Sequence, residues 1–277
     1  LKQASRFDCS GMLLPPILAI VVLVRQVHAC VGFPACACVN ESDQTCYLRN
    51  QTDVDRLGGL LALLRPTIIG TLHISADVED LHPLRLENHS MYVQGLHLDG
   101  LARLSSLNGM DSITALGQDK DGKSLVISGN AELQSLEALS TLRGRLNGSV
   151  TITSNHKLVS LRGLGGIESI GKDVGDDSLR VSENLVLRSF DGLSAVRGKL
   201  PGALIIWGNP QLASLQGLEC IAGFGANRLG NSFYLVSNAA LQSIKALSAV
   251  NGSAIGALTI RDNPSLTTLD GLQGVEG

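Results

Sequence analysis

From about Leu96 onward, apolar residues recur in a fixed frame around one polar position. With Asn209 as origin, Leu204 and Ile206 stand five and three residues before it, and Leu212, Leu215, Leu218 and Ile221 stand three, six, nine and twelve after it. Asn155 carries the same set in Val150, Ile152, Leu158, Leu161, Leu164 and Ile167. The separation of two puts both leading side chains on one face of a short strand. The later separations of three fit tight bends, not a long helix. The origin recurs at Asn130, Asn155, Asn184, Asn209, Asn238 and Asn263, at intervals of 25, 29, 25, 29 and 25 residues. A period of this length is one supersecondary unit stacked on itself. Leu101 and Asp77 stand near the same position in two earlier, degenerate units. The expectation is a mainly β chain, a parallel β-helix or leucine-rich-repeat-like solenoid of about eight coils over residues 67–277.

The polar columns suggest how coils stack. A buried Asn in a turn can satisfy backbone groups of its own and neighbouring coils, so the six Asn residues read as a structural ladder. Five residues after each origin stands a hydroxyl: Ser106, Ser135, Ser160, Ser189, Ser214, Ser243 and Thr268. These predict stacked hydrogen bonding. Eight residues after it stand Gly109, Gly163, Gly192, Gly217 and Gly271, with Ala138 and Ala246, as expected where backbone turns tightly or meets a neighbour.

The amino end differs. Lys2 and Arg6 precede the apolar stretch Leu13 to Val24, and Val27-His28-Ala29 supplies a cleavage point, so residues 1–29 read as an export signal. Cys30, Cys36, Cys38 and Cys46 then crowd together, which in an exported protein reads as disulfide stapling. Thr52-Asp-Val-Asp55 resembles a capping box, and Leu57, Leu60, Leu61 and Leu64 follow at helical spacing. Residues 30–66 are therefore a Cys-rich segment ending in a short helix that caps the open end of the stack. Asn40, Asn50, Asn88, Asn147 and Asn251 head glycan-acceptor triplets, in keeping with a secreted or cell-surface glycoprotein. The repeat is cut partway through at Gly277, so the solenoid reads as truncated there. Membrane attachment is expected only through an anchor outside this chain.

Composition narrows the chemistry. A net charge of -3 and 3% aromatic content give no basic footprint for nucleic acid and a core of Leu, Ile and Val. Gly117-Gln-Asp-Lys-Asp-Gly-Lys-Ser124 has phosphate-loop spacing, but Leu125-Val-Ile127 after it begins a repeat strand, where a phosphate loop needs a helix. His73 and His97 share one column in adjacent coils, with Asp99 two residues on; the column admits a metal, yet reads first as two solvent-facing histidines. Cys220 reads as a buried apolar filler. No catalytic constellation, cofactor site or metal site follows from spacing, and the chain is read as a non-enzyme.

Outward strand positions are mostly polar, but Ile205, Trp207, Tyr234 and Val236 break that pattern in two adjacent coils, with Arg180 and Arg261 beside them. This is the composition of an interface hot spot, unless a loop folds over the rings. The segments Leu204-Ile-Ile-Trp-Gly-Asn-Pro-Gln-Leu-Ala-Ser-Leu-Gln-Gly-Leu218 and Leu258-Thr-Ile-Arg-Asp-Asn-Pro-Ser-Leu-Thr-Thr-Leu-Asp-Gly-Leu272 resemble the receptor L-domain of growth-factor and insulin-type receptor ectodomains and related cell-surface proteins. The resemblance implies a right-handed β-helix and an extracellular recognition module, receptor-like or adhesive, for a protein or glycan ligand. A structural cell-wall or scaffold protein is the alternative, followed by a carbohydrate-active β-helix enzyme.

Overall fold

The leading apolar pair of each repeat lies on a strand of one nine-stranded parallel sheet, and the strands are ordered in the sheet as in the chain. They are β1 (Thr45–Asn50), β2 (Thr71–Asp77), β3 (Leu96–Asp99), β4 (Lys123–Ser128), β5 (Ser149–Thr153), β6 (Asp177–Ser182), β7 (Ala203–Trp207), β8 (Asn231–Val236) and β9 (Ala257–Arg261). The structure, a computed structural model, describes residues 45–64, 68–253 and 255–276. Register is kept along the repeats: Ile152 pairs with Val181, Val181 with Ile206, Ile206 with Leu235 and Leu235 with Ile260. This row is fully buried from Ile74 to Leu235, and the residues three, six, nine and twelve after each Asn from Asn130 to Asn238 close over it as one apolar core; after Asn263 the set is looser, and Leu269 is exposed. A one-residue slip would turn the whole row to solvent, which is why register holds.

The sheet starts earlier than the repeats do. β1 pairs with β2 through Cys46 and Leu72, so the Cys-rich segment contributes a strand and its buried Cys46 belongs to the core. The helix α1 (Gln51–Leu64) follows at once. Its cap is Asn50, not the Thr52 the sequence suggests: Asn50 Oδ1 accepts from the Asp53 N–H at 3.0 Å, and Asp53 Oδ2 accepts from the Arg49 N–H at 3.1 Å. The pair resembles a capping box moved two residues back, with Asp53 returning to the N–H of the residue before the cap and not to that of the cap itself. Val54, Leu57 and Leu61 are buried, whereas Leu60 is only partly so.

The opposite side of the repeats is built differently. There, strands Ile68–Ile69, Met91–Val93 and Ile113–Leu116 form a three-stranded parallel sheet, and later short strands associate only in twos. Gly144–Arg145 pairs with Ile167–Ser169, Gly198–Lys199 with Ile221–Gly223, and Asn251–Ser253 with Gly274–Glu276. Equivalent features recur every 54 residues, one 25-residue interval plus one of 29. Gly144, Gly198 and Gly252 all have φ between 82° and 85°, and 3₁₀ turns at Glu137–Leu139, Asp191–Leu193 and Lys245–Leu247 keep the same spacing. The main sheet thus repeats once per unit, and the opposite side once per two units.

Two expectations change. The hydroxyl column is chiefly local: the oxygens of Ser135, Ser160, Ser243 and Thr268 accept from the N–H two residues on, at 3.1, 3.1, 3.1 and 3.4 Å. A short hydroxyl reaches its own turn more easily than a neighbouring strand about 4.8 Å away. Cys220 is exposed with a free thiol, because it falls in the turn just before the inward Ile221.

Candidate functional site

On the outward face of the main sheet, side chains one strand apart stand in register, and its two ends differ in chemistry. Toward β7 and β8, Ile205 pairs with Tyr234 and Trp207 with Val236; Arg180 pairs with Ile205 on one side, and Val236 with Arg261 on the other. All six residues of the expected patch are therefore neighbours. Their exposure is uneven. Trp207, Tyr234 and Arg180 are half-buried and Arg261 exposed, but Ile205 and Val236 are only 4% and 5% exposed. Each aliphatic side chain sits in its row between two longer ones, and that flanking shields it. The surface offered to solvent is thus mainly the two rings, with the aliphatic pair beside them largely covered.

The two arginines also differ. The Arg180 guanidinium is paired with the Asp177 carboxylate three residues before it, and Asp177 in turn accepts from Asn227 Nδ2 at 2.8 Å. Arg261 Nη2 donates to the Tyr234 hydroxyl at 3.4 Å, with Asp262 3.9 Å from its Nε. The Tyr234 contact foremost holds the Arg261 guanidinium above its ordinary pKa. Arg261 is the cation better able to meet an acidic group, since Arg180 is already neutralised.

At the other end, Tyr47, His73 and His97 follow one another along the outer row of β1, β2 and β3, mutually tilted, with ring centroids 5.2 and 5.4 Å apart. His73 Nε2 lies 3.0 Å from Asp99 Oδ2. His97 Nε2 lies 2.9 Å from Asp119 Oδ2, yet off the line of a hydrogen bond, so this buried nitrogen has no aligned acceptor. Burial pushes the Asp119 carboxyl up, but the His97 ring and the backbone N–H groups of Lys123 and Asp121 prevail and hold it below its ordinary value.

Asp119 sits in the segment with phosphate-loop spacing, and its geometry explains that segment. Asp119 Oδ1 accepts from the N–H groups of Asp121 and Lys123 at 2.9 and 2.7 Å, closing a tight turn before β4. Asp173 repeats this on Gly175 and Asp177 at 2.8 and 3.1 Å, and Asn227 on Leu229 and Asn231 at 3.0 Å each. The three are 54 residues apart, as are Ser124, Ser178 and Ser232. The phosphate-like segment is one copy of a recurring turn. The signal lay in the doubled period, which a search by single repeats passes over.

The Asn column lies inside the turns that follow the strands. Asn209 Oδ1 accepts from the Asn184 backbone N–H at 3.1 Å, while Asn209 Nδ2 donates to Val181 O, Trp207 O and Asn238 Oδ1. The same linkage runs from Asn130 through Asn155 and Asn184 to Asn209, Asn238 and Asn263. Asn263 is partly exposed; the other five are fully buried. Among the acceptor triplets, Asn50, Asn88, Asn147 and Asn251 are exposed. Cys30, Cys36, Cys38, Asn40 and the proposed export signal lie outside the described residues.

Comparison of the chain with protein-family models, curated proteins and solved structures gives no match.

Proposed function

We propose that the chain is a non-catalytic extracellular recognition module, receptor-like or adhesive, whose repeats wind as coils of a right-handed parallel β-helix like that of the receptor L-domain. Its ligand, a protein or a glycan, docks on the outward sheet face over Trp207 and Tyr234. The observation that supports this reading is the in-register block in which two half-exposed rings lie beside buried Ile205 and Val236. Rings flanked in this way present large, rigid area with little conformational freedom left to lose on binding. Arg261, beside Tyr234, would orient a ligand that carries an acidic group.

The test is binding to immobilised glycan and secreted-protein arrays, followed by affinity measurement on whatever is retained. Trp207→Ala should weaken that binding by about 2 kcal/mol with the melting curve preserved. Thr153→Ala, two strands away on the same face, should change little. Equal affinities for wild type and Trp207→Ala would remove the patch as the docking site.

A further inference from the structure

We propose that His73, His97 and Asp99 form a binding site for a divalent transition metal of the zinc class, with Asp119 positioning His97. Strand pairing builds the site. His73 is in register with His97, and Ser75 with Asp99, so two imidazoles and a carboxylate two residues further on share one outward face of β2 and β3. One ligand atom from each of the three residues falls within 4.8 Å of the others. A cation seated among them would need only rotamer adjustment to bring these atoms to the ~2.0–2.2 Å of zinc–nitrogen and zinc–oxygen bonds. The backbones carrying them are fixed by parallel pairing on both sides, since β2 lies between β1 and β3, and β3 between β2 and β4.

The donor set selects the metal. Two imidazoles and one carboxylate suit zinc and its neighbours, whereas calcium and magnesium require oxygen ligands almost throughout. Asp119 stands against the His97 ring with its side chain only 7% exposed and is itself anchored by two backbone N–H groups. A fixed carboxylate beside a ligating histidine orients the ring and raises its basicity. Three protein ligands leave a coordination position open to water or to an acidic group of a ligand. The side chains of His73 and Asp99 are 26% and 31% exposed, so the site can be reached from solvent.

The site is independent of the aromatic patch, because β3 and β7 are four strand spacings apart, roughly 19 Å. Titration of the chelator-treated chain with zinc, followed by calorimetry and by nuclear magnetic resonance of the imidazole rings, tests it. Zinc should bind at about one ion per chain and shift the His73 and His97 ring signals, leaving exposed His156 in place. His73→Gln and His97→Gln should each abolish measurable binding, and Asp119→Asn should weaken it by about tenfold to a hundredfold. His156→Gln should bind as wild type does. Absence of binding by the wild-type chain overturns the proposal, as does binding that survives His73→Gln or shifts the His156 signal instead. The ring signals of the wild-type chain decide the matter even if a variant misfolds.

Discussion

At Asn209 one side-chain amide serves three repeats: it accepts from Asn184, donates to the carbonyls of Val181 and Trp207, and donates onward to Asn238. Removing it leaves buried backbone groups without partners, and a stranded polar group costs more than the bond itself was worth. Asn209→Ala should therefore lower stability by about 1 to 3 kcal/mol in urea denaturation, and Asn263→Ala, at the partly exposed end, by less. An unchanged midpoint for Asn209→Ala would mean that water replaces the amide. Gly217 poses a steric problem instead. Its φ is 108°, and a methyl group there would lie 1.8 Å from the Phe190 carbonyl oxygen. Gly217→Ala should lose about 2 kcal/mol or more, whereas Gly165→Ala, where a methyl group meets open space, should stay within about 0.5 kcal/mol. Similar midpoints for the two variants would contradict the close approach.

The recurring turn of Asp119, Asp173 and Asn227 is an element-scale device, since each carboxyl or amide oxygen closes the loop that leads into a main-sheet strand. Asp173 also accepts from Ser149 Oγ at 3.1 Å through its second oxygen. Asn occupies the equivalent place at Asn227, and Ser149 can accept as readily as donate. Asp173→Asn should therefore stay near wild-type stability, while Asp173→Ala should lose about 1 to 2 kcal/mol in the same denaturation measurement. Equal losses for both would assign the role to the carboxylate charge and not to the turn. Legibility in the sequence follows element length. The main-sheet strands are readable because two inward residues repeat at a fixed distance from an Asn. Strands such as Gly144–Arg145 and Gly198–Lys199 are two residues long, too short for alternation to mark them. β1 is missed for another reason: it falls among cysteines and carries no Asn repeat. The exposure of the Trp207 patch depends on Arg180, Tyr234 and Arg261 from neighbouring repeats, so alternation along β7 alone marks Ile205 as outward without revealing that it is covered.

Across the whole molecule the two sides keep different periods, and the difference bears on how the chain would yield under tension. From Asn130 to Asn263 every repeat is joined to the next along the main sheet by pairing and by the Asn chain, so no boundary in that stretch is weaker than another. On the opposite side, beyond the first three-stranded sheet, short strands hold repeats together in twos, and between these groups the backbone is joined by isolated bonds such as Arg143 N–H to Thr114 O and Arg197 N–H to Glu168 O, both 3.0 Å. A tether pulled from both ends should peel the molecule at those seams, releasing about 54 residues at a time. At ~3.3–3.6 Å per extended residue, each rupture would lengthen the tether by roughly 180–190 Å, less the folded thickness already spanned. Single-molecule stretching would read this directly. Steps near half that length would mean that each repeat yields alone, and one long step that the sheet fails as a unit. Paired seams would make the chain an extensible spacer that lengthens in coarse increments while its remaining repeats stay folded.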